Sequence, residues 1–117
     1  MTEPWPTELK IDKDKRVLTV SFDDGTSFAL PAEMLRVLSP SAEVQGHSED
    51  QRVTVFGKKN VSILRLEPVG NYAVRIVFDD GHDTGLFVWS YLHELGENRE
   101  ARWQAYLADL AAKGLSR

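Results

Sequence analysis

His82 stands among three carboxylates, Asp79, Asp80 and Asp83. A carboxylate beside an imidazole orients it as a metal ligand or as a proton carrier. His47 is a second imidazole that could approach the same place from a loop. His82, Asp80, Asp83 and His47 therefore form the candidate metal set, of a kind that would hold iron or zinc weakly. His82 with Asp83 or Asp80 is the candidate acid–base pair, but no nucleophile or cofactor motif accompanies it. Gly-x-Gly-x-x-Gly, the P-loop, Gly-x-Ser-x-Gly and His-Glu-x-x-His are all missing. The competing reading of His82 is structural: a hydrogen-bonded residue of a turn at a sheet edge.

The turn in question occurs twice. Phe-Asp-Asp-Gly spans Phe22–Gly25 and again Phe78–Gly81, 56 residues apart. Each copy follows an apolar, β-branched run and precedes a short run that leads into a helix-like segment. One local device, strand, acidic turn, strand, helix, is used twice. Paired carboxylates at Asp23-Asp24 and Asp79-Asp80 attract hard cations, yet Asp in a tight turn also bonds its own backbone. The spaced ligands and terminal Glu of an EF-hand loop are missing. Only the second copy has a histidine after its glycine; the first has Thr26.

The elements that position these turns follow from period-two alternation. Glu8 to Asp12 reads as a short strand and Val17 to Phe22 as another, with Leu18, Val20 and Phe22 on one face. A three-residue loop, Asp23-Asp24-Gly25, pairs Phe22 with Thr26, Val20 with Phe28 and Leu18 with Leu30. It keeps the large apolar residues together and places Gly25 at the left-handed position that closes the turn. The same rule in the second copy pairs Phe78 with His82, Ile76 with Thr84 and Val74 with Leu86. Pro31 opens a helix over Ala32 to Val37, with Met34, Leu35 and Leu38 toward the sheet. Ser39 to Asp50 reads as a loop, Val53 and Val55 as a brief strand, and Val61 to Glu67 as a strand ended by Pro68. Tyr72 to Phe78 and Gly85 to Val88 complete the second hairpin. Trp89 to Leu95 is a helix stopped by Gly96. Asn98 is the N-cap of a last helix through Lys113, with Trp103, Leu107, Leu110 and Ala111 as its buried stripe and Ser116-Arg117 as a frayed tail. Most of the aromatics in this half, Tyr72, Phe87, Trp89, Tyr91 and Trp103, read as core or helix–sheet packing, with a ligand groove or partner surface as the alternative. The fold class is α+β: antiparallel β-hairpins forming one or two small sheets, short helices after the hairpins and a C-terminal amphipathic helix.

Composition narrows the function. A chain of 117 residues is a single domain with room for a core. Net charge is −4, with 14 basic and 18 acidic residues, which argues against nucleic acid as a partner. No apolar run approaches the ~20 residues that span a bilayer. The N-terminal Met-Thr-Glu-Pro-Trp-Pro lacks the basic and apolar regions of a secretory signal, so a cytoplasmic location is expected. With no cysteine, disulfides, thiolate metal sites and cysteine nucleophiles are excluded within these residues.

Several segments carry a family resemblance: Leu35-Arg36, Ser39-Pro40-Ser41-Ala42-Glu43-Val44, Gly70-Asn71-Tyr72-Ala73-Val74, and Phe78-Asp79-Asp80-Gly81-His82-Asp83-Thr84-Gly85 followed by Trp89-Ser90-Tyr91-Leu92. Together they resemble the gamma-butyrobetaine-hydroxylase-like N-terminal domain family, over residues 8 to 95. The last helix, 97–114, lies outside the resemblance. The family's domain precedes the catalytic domain of gamma-butyrobetaine and trimethyllysine hydroxylases, and a related domain follows the ATPase of an iron–sulfur scaffold protein. In the hydroxylases it is non-catalytic and carries a structural zinc on three cysteines and a histidine. Those cysteine positions fall on Ser39, Ser41 and Val44, and the histidine on His82. The resemblance thus implies the fold, and it implies that this zinc site is missing. It points to a non-catalytic cytoplasmic module with a protein partner and no cofactor, accessory to iron–sulfur or oxygenase metabolism. The alternatives are a weak metal-binding protein centred on His82 and a small acid–base enzyme.

Overall fold

A computed structural model describes residues 4–40 and 54–117. Ser41, Val44, His47, Val53 and most of the expected 39–50 loop lie outside them.

Val17–Phe22 forms β2, and its alternation buries Leu18, Val20 and Phe22. It is the centre of an antiparallel sheet with β1 (Pro6–Ile11) and β3 (Ser27–Pro31) on either side. Helix α1 (Ala32–Val37) follows at once, with Pro31 as its N-cap residue. A second antiparallel sheet has β5 (Ala73–Phe78) between β4 (Ile63–Val69) and β6 (Leu86–Val88). Helix α2 (Trp89–Glu97) follows it, and α3 (Arg99–Ala112) comes last. The architecture is α+β.

The two βββα units agree in detail. β1 carries a bulge between Pro6 and Glu8, and β4 carries one between Ile63 and Arg65, 57 positions on. β2 and β5 have the same length 56 apart, and α1 and α2 start 57 apart. Leu35 and Leu92, at matching places on the two helices, are both fully buried. Leu18, Val20, Phe22 and Leu30 from the first unit and Val74, Ile76, Phe78 and Phe87 from the second join one apolar cluster.

The first hairpin has the expected register: Val20 pairs with Phe28 and Leu18 with Leu30. Gly25 sits at φ 89°. The second hairpin keeps the turn, with Gly81 at φ 91° and the Phe78 N–H donating to the His82 carbonyl at 3.0 Å. Its strands then slip. Val74 pairs with Phe87 and Arg75 with Leu86, so the expected Ile76–Thr84 and Val74–Leu86 pairs do not form. One additional residue is taken up between His82 and Leu86. The slip exchanges faces: it sends the larger Phe87 ring into the core and leaves Leu86 on the outside.

Other expectations need correction. Pro68 does not end β4; it pairs with Val74 and lies in an edge strand, where a missing N–H is tolerated. Thr54 to Phe56 form no strand. Gly96 does not stop α2 but lies within it, where an added Cβ would stand 2.2 Å from the Phe28 ring. Asn98 makes no side-chain cap; its amide donates back to the Glu94 carbonyl at 3.2 Å. The buried residues of α3 are Tyr106 and Leu110, with Trp103 half-buried and Ala111 exposed. Tyr72 is exposed rather than packed. Arg117 is not frayed, since it makes two hydrogen bonds to Glu33.

Candidate functional site

The two acidic turns are built alike. The first Asp of each ties the turn to the start of its own sheet. Asp23 N–H donates to the Trp5 carbonyl at 2.8 Å and accepts the Trp5 N–H on Oδ1 at 3.1 Å. Asp79 N–H donates to the Ser62 carbonyl at 3.0 Å and accepts the Ser62 N–H on Oδ1 at 3.1 Å. This is Asp completing backbone turns, as the structural reading expects.

The second Asp of each turn reaches across to the helix of the other unit. Asp80 accepts from Arg36 Nε of α1 at 2.7 Å, and Lys58 Nζ lies 2.6 Å away. Asp24 meets Nε2 of His93 on α2 at 2.8 Å. Arg36 and His93 lie 57 residues apart and hold matching places on their helices. The contacts are reciprocal: helix one to turn two, helix two to turn one. Reciprocity of this kind defines an isologous interface, here formed inside one chain.

The two clamps differ chemically. Burial alone would raise the Asp80 carboxyl, but the hydrogen bonds from Lys58, the His82 amide and Arg36 outweigh it and hold the group at about 2. Thr26, through its hydroxyl and its backbone N–H, is the main cause holding Asp24 at about 2, with His93 adding to it. His93 is sandwiched: Nε2 faces Asp24 and Nδ1 lies 2.9 Å from Glu97. A carboxylate only accepts, so the ring donates to both only when both nitrogens carry protons. The rings of Phe22 and Phe28 stand edge-to-face with it, their centroids 4.8 and 5.4 Å away.

His82 is buried, and its Nε2 lies 3.0 Å from Ser39 Oγ, itself fully enclosed. Gly85 passes so close that a Cβ there would overlap this hydroxyl. The ring is buried beside the turn, and the backbone serves the turn itself, donating to Asp80 Oδ1 at 3.1 Å. Asp80 is engaged by two cations, Asp83 is exposed and His47 lies outside the described residues. Among the described residues no three His, Asp or Glu side chains gather as a metal site. The residues also do not fit the family zinc: Ser39 offers a neutral hydroxyl in place of a thiolate, and Val44 has no donor atom. Sequence reasoning missed His93 and Arg36. The available signal was their 57-residue spacing, which nearly repeats that of the two turns.

The outer face of the second sheet differs from the first. Leu86 and Val88 are exposed there beside Arg75, and Tyr72 and Leu64 are exposed at the adjoining turn and bulge. The matching positions in the first unit are Ala29, Pro31, Arg16 and Thr7.

Residues 9–93 match the model of a family described as gamma-butyrobetaine hydroxylase-like, N-terminal. Two structures solved by NMR in solution are similar to this chain. One is 46% identical over 99% of this chain and 91% of its own, with a TM-score of 0.85. Another is 51% identical over 100% and 90%, with a TM-score of 0.84. A crystal structure from Acidithiobacillus ferrooxidans, described as a protein of unknown function of the DUF971 family, is 38% identical; it covers 81% of this chain and 98% of its own, with a TM-score of 0.67. No curated protein matches significantly.

Proposed function

The chain belongs to the gamma-butyrobetaine hydroxylase-like N-terminal domain family, and on that footing we propose that it is a non-catalytic interaction module. The observation that carries this reading is the exposed apolar set on the second sheet, Leu86 and Val88 with Tyr72 nearby, where the sister unit has Ala29, Pro31 and Arg16. Two copies of one unit serve as an internal control: the fold does not require large apolar side chains on that face. Apolar groups exposed together mark contact surfaces. The engagement of both described imidazoles also favours a module without acid–base chemistry. The partner in this reading is a protein, since a net charge of −4 disfavours nucleic acid. Family association suggests a cytoplasmic role accessory to iron–sulfur or oxygenase metabolism. Weak iron or zinc binding at His82 is the second reading, favoured only by the approach of His82 to Ser39.

Affinity capture from native extract tests the proposal, with metal analysis on the same sample. Leu86→Ser with Val88→Thr should lose captured protein while leaving the melting temperature within a few degrees. Unchanged capture would remove the sheet face from consideration. A stoichiometric metal lost in His82→Gln would favour the second reading.

A further inference from the structure

The buried interior falls into two clusters. The larger draws its buried residues from β2 through α2 and none from α3. The smaller belongs to α3: Tyr106 and Leu110 close on Val37, with Leu38, Val55 and Trp103 around them. The only contribution of α3 to the main core among the described residues is thus from outside, where half-buried Trp103 packs against it. The family match ends at residue 93, before α3 begins. The Acidithiobacillus ferrooxidans protein finds 98% of its length within 81% of this chain, so close to a fifth of this chain has no counterpart there.

The surface under α3 has a definite chemistry. Val37, Leu38 and Val55 make its floor, and the Val55 carbonyl accepts the Tyr106 hydroxyl at 2.6 Å. A carboxylate lies beside it: Glu33, only 6% exposed. Arg117 takes both Glu33 oxygens, Nε at 3.0 Å and Nη2 at 2.7 Å, while its guanidinium lies 5.4 Å from the centre of the Trp103 ring. An enclosed carboxylate left without its cation is strongly unfavourable. The two-pronged geometry selects a guanidinium over an ammonium.

We propose that this surface is a docking groove for an amphipathic helix followed by an arginine, and that α3 with Arg117 fills it in cis. The occupant is set by charge complementarity: a plain apolar helix would leave Glu33 buried and unpaired. The anchors recur as helix-in-groove recognition uses them, Trp103, Tyr106 and Leu110 at i, i+3 and i+7. A partner segment of the same chemistry competes with α3 for the groove and binds when the helix lifts off. This surface is distinct from the outer face of the second sheet.

Two measurements test it. In the wild-type protein, amide hydrogen exchange should show α3 opening locally, with protection at least tenfold below that of β5; equal protection would make α3 part of the global core and overturn the proposal. Next, a labelled peptide with the sequence Arg99–Arg117 is titrated against the full chain carrying Trp103→Ala and Arg117→Ala. The peptide should bind at least tenfold more tightly than to wild type, and Glu33→Gln in the released chain should lower affinity at least tenfold. A folded released chain that ignores the peptide, or binds it regardless of Glu33, overturns the groove. A released chain that cannot fold overturns it too, because the body would then need α3.

Discussion

Asp80→Asn keeps the shape of the side chain and removes the charge on which Arg36 and Lys58 converge. The carboxyl is held at about 2 against an ordinary 3.8. That gap corresponds to at most ~2.4 kcal/mol of preferential stabilisation of the ionised form. The group keeps some contact with solvent, its side chain being 18% exposed, so screening reduces the figure to about 1 kcal/mol. The sign follows from a folded value that lies below the unfolded one. The contribution is fully present above about pH 4 and is lost as pH falls toward 2. In Asp80→Asn it is missing throughout. The variant should therefore melt about 4–8 °C below wild type at pH 7, and the difference should close as pH falls from 4 to 2. Arg36 adds to the cost at neutral pH, because its side chain is only 12% exposed and Nη1 is already enclosed with no hydrogen-bond partner among the described residues. Arg36→Met combined with Asp80→Asn should thus cost less than the two changes summed. The assay is a set of thermal melts from pH 2 to 7. A difference between wild type and Asp80→Asn that stays constant across that range would refute the clamp, whatever its size.

Gly96→Ala should cost on the order of 1–3 kcal/mol by driving a methyl group into the Phe28 ring; adding Phe28→Leu should recover part of it, and urea denaturation of the two variants decides the point. Gly25→Val and Gly81→Val should each cost about 1–2 kcal/mol, because both glycines hold positive φ while nothing crowds their Cβ positions; normal melting of either would show that the turn tolerates a different backbone. Melts with and without a strong chelator should coincide, since Ser39 and Val44 cannot complete a zinc site; a fall of many degrees on chelation would contradict that.

The first hairpin is legible because everything that determines it is local: alternation through Phe22, a glycine at the turn and large residues on one face. The other hairpin carries the same local signals, yet its true register differs by one residue. What decides it is Phe87 filling the common core and Gly85 passing Ser39, a contact between residues 46 positions apart in the chain. Gly96 misleads for the same reason: its neighbour Phe28 is remote in sequence, so a glycine required by close approach resembles one required by a helix end. Pro68 reads as a terminator because edge and central strands are alike until their pairing is known. Of the candidate site, His82 and Asp80 are visible as residue types, but the direction of the His82 ring is not. The partners of the turns, Arg36 and His93, resemble ordinary polar positions on short helices.

The crossed clamps bear on how the molecule comes together in time. Arg36 and Asp80 are 44 residues apart, and Asp24 and His93 are 69 apart. Neither bond can help its own unit form, because each needs a turn or a helix supplied by the other. Each hairpin can close early on local contacts, but its helix gains its side-chain anchor only after the other hairpin exists. Assembly of the body should then be a single late event rather than two independent ones. Loosening either turn should also speed unfolding in the half that was not altered.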